Sequence, residues 1–340
     1  MTSVEVVGSG VVGLTAALVL ARQGCRVRLV TSSQGPDSDC CSWWAGGMLA
    51  PECEMEAAEP LIGRLGRESM AFWNEIAAPR FNGTLVLAPP RDRSDLERFA
   101  RMTKGWRRVE AEELGALEPD LAGRFRRGLF YESEGHLDPR KTLQHLWTLL
   151  QKAGVEIETG RRLEASDLQD PSDSDWIFDC RGLAARDSLA ELRGVKGEMV
   201  ILHCRDLSFS RPVRLLHPRF PLYVVPRDDN HFMVGATMIE TEDSSRVTAR
   251  SLIELLSSAY ALHPAFGEAE VVEVGVDSRP AFPDNLPRLV RQGRRLHING
   301  CYRHGFLLAP ALARRAADWL MLGQQDPEVM NDPDGERPAA

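Results

Sequence analysis

The sequence predicts an α/β protein: a Rossmann-type nucleotide-binding domain, interleaved with an α+β substrate part on a mixed, largely antiparallel sheet. Three observations predict it. The chain opens on a strand, a glycine-rich turn and a helix; strand and helix patterning returns around residues 138–179 and 296–321; the stretches between read as short antiparallel strands.

The first element is a buried strand at residues 4–7, followed by Gly8-Ser9-Gly10-Val11-Val12-Gly13, a helix over 14–23 closed by Gly24, and a second strand at 26–30. The glycines have separate tasks. Gly8 allows a tight turn, Gly10 lets backbone N–H groups approach a pyrophosphate, and Gly13 lets the helix lie close on the sheet. The helix N-terminus adds partial positive charge for phosphates. The acidic residue expected at the end of the second strand to hold ribose hydroxyls is replaced by Thr31, followed by Ser32 and Ser33. Hydroxyls bond a ribose less strongly than a carboxylate, which counts against NAD as the bound nucleotide.

A second unit starts at Asp138-Pro139, a cap followed by proline at the first helical position. Leu143, Leu146, Leu149 and Leu150 share one helix face, Gly154 ends it, and strands follow at 155–158 and 176–179, separated by a turn at 170–173. Leu163 follows the first of these strands, and Cys180-Arg181-Gly182 closes the second. The third unit has a strand at 296–298, Asn299-Gly300 and a helix over 309–321. Strands at 83–87, 223–226, 232–235 and 271–276 have the texture of another sheet. The expected division is therefore discontinuous: 1–80, 136–195 and 276–325 for the nucleotide, 81–135 and 196–275 for the substrate. Residues 326–340, rich in Asp, Pro, Glu and Asn, are expected to be disordered.

The 340 residues carry a net charge of −8, which leaves no footprint for nucleic acid or an anionic membrane. Arg124-Phe125-Arg126-Arg127 is too short a cluster to change that. Seven cysteines without a C-x-x-C pair argue for a reducing compartment and against a disulfide framework or a zinc site. The uncharged run 6–21 lacks a basic leader and is broken by glycines, so the expected location is the cytoplasm. No nucleophile elbow, zinc-protease helix or P-loop occurs, and the eight histidines lack metal-ligand spacing. An enzyme built this way leaves the hard step to a cofactor.

The run Ser42-Trp43-Trp44-Ala45-Gly46-Gly47-Met48-Leu49-Ala50-Pro51 places two tryptophans before two glycines, the pattern of a flat group approached closely by backbone. Together with the opening glycine turn, "YVVPR" at 223–227, "VGATM" at 234–238, "SRPAFPDNLP" at 278–287 and "NGCYRHGFLLAP" at 299–310, it forms an ordered set over residues 4–322. That set resembles the FAD-dependent D-amino-acid oxidase family, most closely its glycine oxidase branch, the enzymes that supply an imine for the thiazole of thiamine.

The resemblance implies a non-covalently held FAD. Gly8, Gly10, Val11, Val12, Gly13, Thr31, Ser32, Ser42, Leu163, Cys180 and Gly182 would contact it. Ala45, Gly46, Gly47, Met48, Arg303, His304, Gly305, Phe306 and Leu307 would meet the flavin. Trp43 and Trp44 either wall the site or pack in the core. Arg279 matches the arginine that binds the substrate carboxylate in a bidentate fork, and Tyr223 the tyrosine that donates to the same group. Arg303 matches a second site arginine, or else serves the turn before the last helix. Met48 and Met238 match pocket methionines, or else fill the core. The implied reaction takes glycine, sarcosine or a small D-amino acid and dioxygen to an imine, then to glyoxylate or a 2-oxo acid, ammonia and hydrogen peroxide. A homo-oligomer and a thiazole-forming partner are further implications.

Competing readings are a D-amino-acid oxidase or dehydrogenase with another amine substrate, a nicotinamide-dependent reductase that shares the first strand–helix–strand unit, and a non-catalytic flavoprotein. A nicotinamide enzyme would be colourless. A non-catalytic flavoprotein would be yellow yet not reduced by any amino acid.

Overall fold

The computed structural model describes residues 1–331 except 90, 169–173, 218–220, 242 and 244–245. The expected turn at 170–173 therefore lies outside the described residues.

The chain opens with β1 (Ser3–Val7), α1 (Val11–Arg22) and β2 (Arg26–Val30), then β3 (Met48–Leu49), α2 (Pro60–Ile76), β4 (Thr84–Leu87), α3 (Arg93–Met102), β5 (Arg107–Glu110), α4 (Ala111–Leu117) and β6 (Arg127–Tyr131). Next come β7 (Gly135–His136), α5 (Pro139–Lys152), β8 (Glu156–Glu158), β9 (Trp176–Asp179), β10 (Arg193–His203), β11 (Val213–Leu215), β12 (Leu222–Pro226), β13 (His231–Gly235) and β14 (Ile239–Glu240). The chain closes with α6 (Ala249–Leu262), β15 (Glu270–Ala281), β16 (Arg288–Gln292), β17 (Arg295–Asn299), α7 (Gly305–Leu322) and β18 (Met330–Asn331).

Two main sheets result. The first runs β18-β16-β17-β9-β1-β2-β8, with β1 parallel to β2 and β9. α1 is buried at eight of its twelve positions because it packs against β2, α5 and α7, which is why its sequence is largely apolar. Asp138 caps α5 as expected, its Oδ1 accepting from the N–H of Arg140 (2.9 Å) and Lys141 (3.2 Å).

The second sheet runs β14-β10-β13-β12-β11-β4-β6-β5, with β15 paired to β10. β4, read as an antiparallel strand, pairs antiparallel with β6 but parallel with β11, so the sheet is mixed. The strand expected over 271–276 runs on to Ala281, because β10 supplies a partner for almost its whole length. Its last turn of register carries Arg279 opposite Val195.

Two expectations fail at the C-terminus. The last helix starts at Gly305 rather than 309, with Pro310 inside it. Proline lacks the N–H that would bond the Phe306 carbonyl, and Trp73 Nε1 donates to that oxygen instead, at 2.6 Å. Residues 326–331 are not a disordered tail. Asp326 pairs with Arg315 at 2.6 Å, Val329 is buried, and β18 joins the edge of the first sheet beside β16. Polar composition reads as disorder only until a helix and a sheet edge supply partners. Among the described residues no helix is long and apolar enough to cross a membrane.

Candidate active site

A cleft of about 340 Å³ opens at the carboxyl ends of β1, β2 and β9. Gly8, Gly10, Val11, Val12, Thr31, Ser32, Ser42, Leu163, Cys180 and Gly182 all line it. Gly8 has φ 109°, and a Cβ there would sit 2.6 Å from the Cys180 carbonyl oxygen. A Cβ on Gly13 would sit 1.9 Å from the Gly8 carbonyl oxygen, so Gly13 is in the turn to let α1 touch β1 and does not face the cleft. Val11 N–H, at the start of α1, donates to Ser42 Oγ at 3.0 Å. Ser42 thus ties the segment after β2 to the helix N-terminus.

At the end of β2, where the acid is missing, Thr31 Oγ1 bonds Ser9 Oγ (2.7 Å) and Ser33 Oγ (3.1 Å). Three hydroxyls share the position of one carboxylate. Behind the Cys180–Gly182 lining, Asp179 is fully buried at the end of β9, 2.8 Å from Arg181 Nη2 and 3.2 Å from His297 Nδ1. Burial disfavours its charge, yet His297 and Arg181 outweigh burial and hold the carboxyl well below its ordinary range. This network anchors the Cys180–Gly182 turn against the cleft.

A narrower cavity, about 100 Å³, shares Val11, Cys41, Ser42, Asp277, Tyr302 and Gly305 with the cleft. Ala45, Gly46, Gly47 and Met48 form one wall, and Tyr223, Arg279, Arg303, His304, Phe306 and Leu307 others. Tyr223 lies against Gly46, where a Cβ would come within 3.1 Å of the ring. Burial raises its phenol pKa, so its O–H stays a donor. Arg279 lies across Gly197, where a Cβ would be 2.2 Å from Nη2, and its Nη1 donates to the Thr237 carbonyl at 3.0 Å. Among the described residues no carboxylate pairs with it. Arg303 does have one: Glu54 Oε2 at 3.0 Å, and the same oxygen is 3.4 Å from His304 Nδ1, while Oε1 meets Arg214. Burial alone would raise the Glu54 pKa; Arg303, Arg214 and His304 reverse this and keep it ionised. His304 is pulled down to about 4, chiefly by burial, and is neutral.

The two tryptophans part company. Trp44 lines the cavity and packs on β15, where a Cβ on Gly275 would fall 2.1 Å from its indole, whereas Trp43 packs against the core beside α1 and α5. Arg140 sits over both rings at 4.8 and 5.2 Å. Met48 lines the cavity and packs near Met233. Met238 is corrected. It is not part of the wall but half exposed, its sulfur 3.2 Å from the Tyr302 hydroxyl, because the chain leaves the sheet after β13 ends at Gly235.

Sequence reasoning missed Glu54, Asp277 and Tyr302 as wall residues. Glu54 stood in the run Pro51-Glu52-Cys53-Glu54, where a buried acid cannot be told from an exposed one without its arginines. Asp277, pushed up to about 6 mainly by burial, is two residues from Arg279 and gave no separate signal.

The cleft suits a dinucleotide: a glycine, Gly8, where any Cβ would collide, a helix N-terminus, and hydroxyls at the end of β2. Comparison with known proteins specifies which. Residues 3–319 match the DAO family, FAD dependent oxidoreductase. A Rhizobium etli protein named for a thiamine biosynthesis oxidoreductase, ThiO, is 52% identical over 324 residues, covering 94% of this chain and 97% of its own. Glycine oxidase of Pseudomonas aeruginosa is 27% identical, with 95% of each chain covered. Glycine oxidase of Bacillus cereus has the same fold, with a TM-score of 0.79 at 22% identity over 96% of each chain. With cleft, cavity and relatives in agreement, the chain belongs to the DAO family of FAD-dependent oxidoreductases.

Proposed function

We propose that the protein oxidises the amine of glycine, and of sarcosine or a small D-amino acid, to an imine that hydrolyses to glyoxylate or the 2-oxo acid and ammonia. The observation that carries this reading is an arginine without a carboxylate partner among the described residues, Arg279, beside a half-buried tyrosine in a cavity of about 100 Å³ joined to the nucleotide cleft. A guanidinium fork and a phenol O–H suit an amino-acid carboxylate. The narrowness of the cavity favours a short side chain.

The chain's residues orient and polarise. Arg279 and Tyr223 hold the carboxylate, so the α-carbon is fixed relative to the Ala45–Gly47 backbone. Glu54 keeps Arg303 turned into the cavity. Gly305, Phe306 and Leu307, the first turn of α7, offer N–H groups and the positive end of the helix to charge that develops nearby. No side chain is assigned as a base, since hydride transfer from a neutral amine needs none. FAD would supply the acceptor for the α-carbon hydride and the reactivity toward dioxygen that yields hydrogen peroxide. The first sheet and its helices would hold FAD non-covalently and the second sheet would close the substrate site. The thiamine name of the Rhizobium relative supports an imine delivered to thiazole formation.

The test is the visible spectrum of the anaerobic protein before and after glycine. Bleaching that returns with air, with peroxide formed, is the expected result; a flavin band unchanged by glycine, sarcosine and small D-amino acids would refute it. Arg279→Ala should raise KM roughly 30- to 150-fold, the loss of about 2–3 kcal/mol of charge-assisted hydrogen bonding, with flavin still bound. A KM that hardly moves removes Arg279 from the site.

A further inference from the structure

A separate recess of about 440 Å³ lies between the end of α2, the start of α5 and the turn after β12. His136 forms part of its wall, is 2% exposed, and among the described residues has no hydrogen-bond partner at either ring nitrogen. Its backbone is held on both sides, by Met48 through the β3–β7 pair and by Arg80, whose N–H donates to the His136 carbonyl at 2.8 Å. The imidazole therefore cannot reach another partner by a shift of the strand. Buried polar groups without partners are rare, and one that lines a cavity points to something the cavity takes in.

The charges around it are unequal. Three cations, Arg80, Lys141 and Arg227, face two carboxylates, Asp138 and Asp228. Asp228 is shared by Arg80 (2.5 Å) and Lys141. Asp138 caps α5. Arg227 is left with main-chain acceptors among the described residues, the Gly46 carbonyl at 2.9 Å and that of Pro226 at 3.4 Å. Burial pulls its pKa down to about 10; Asp138 opposes the shift, while Arg140 and Arg80 add to it. His136 is drawn down to about 3 by burial, then by Arg227 and Arg80, so it is neutral and has one N–H to donate. Ile76 and Leu137 add an apolar side.

We propose that this recess binds a small organic carboxylate, its oxygens meeting Arg227 and a ring N–H of His136, and its short apolar tail lying on Ile76 and Leu137. A compact dianion such as phosphate suits it less, because Asp138 and Asp228 stand in the same wall. Since Arg227 also holds the Gly46 carbonyl, the occupant would sit one guanidinium away from the substrate cavity.

The test uses the FAD-loaded protein and 4-methylpentanoate as probe. Calorimetry on Arg279→Ala, which lacks the carboxylate anchor proposed for the substrate, should show one equivalent bound, and Arg279→Ala with His136→Leu should show none. Hydrogen exchange on the unmodified protein keeps the answer independent of whether the variants fold: the probe should protect residues 135–142 and 225–228. Protection confined to 44–48, 223 and 279 would overturn the proposal, as would no binding to Arg279→Ala, binding that survives His136→Leu, or displacement by an equal concentration of inorganic phosphate. Failure of glycine oxidation would leave these outcomes unaffected, because none is read from turnover.

Discussion

Glu54→Gln removes one negative charge from a buried cluster in which it touches Arg303 at 3.0 Å, His304 at 3.4 Å and Arg214. The substitution keeps shape and leaves two guanidinium groups facing each other. At an effective dielectric of about 20, one pair at this distance attracts by roughly 5 kcal/mol. Desolvation returns part of that, and breaking a buried pair by losing one partner costs about 3–5 kcal/mol in practice. At about 2 °C per kcal/mol for a chain of this size, the melting temperature should fall by roughly 6–10 °C. The assay is thermal unfolding by circular dichroism, with and without bound flavin, at several pH values. Glu54 has a depressed pKa, so its contribution is complete above the ordinary 4.5 and is lost only as pH falls through its folded value. The deficit of the variant should thus be the same at pH 6 and pH 8. A melting temperature within about 2 °C of the parent, or a deficit that vanishes by pH 6, would refute the claim that Glu54 is the ionised centre of this cluster.

Gly275→Ala drives a methyl into Trp44 and should cost about 1–3 kcal/mol; adding Trp44→Leu should recover most of it in urea titrations, and no recovery would mean the contact is not the cause. Gly13→Ala, with its Cβ 1.9 Å from the Gly8 carbonyl, should push α1 off β1 and leave protein purified with far less than one flavin per chain by absorbance. His136 and His304, folded with pKa values of about 3 and about 4 against 6.5, stay neutral while the unfolded chain takes up protons. Stability is therefore complete above pH 6.5 and falls below it, by up to about 4 kcal/mol between pH 7 and pH 5 for the two together. Asp277, raised to about 6, works in the opposite sense and returns about 1 kcal/mol. Urea unfolding that is flat across this range would contradict the assignment of two neutral buried histidines.

Much of the fold was legible because its signals are local. A glycine that needs φ 109°, an aspartate that caps the next two N–H groups, and leucines three and four apart all act within one turn of chain. These determined β1, α1, β2 and α5, and with them the nucleotide cleft. Arg279 and Tyr223 were found by the motifs around them, and the cavity holds both. The start of α7 was not legible, because the Phe306 carbonyl freed by Pro310 is satisfied by Trp73, 233 residues away in sequence. Nor was the order of residues 326–331, which depends on Arg315 and the open edge of β16.

Glu54 shows the division most plainly. By itself the sequence determined that an acid follows the glycine run, and it determined the arginines at 214 and 303. Only the tertiary structure decided that they meet, since a carboxylate in so little water stays charged only where guanidinium groups from distant segments close around it.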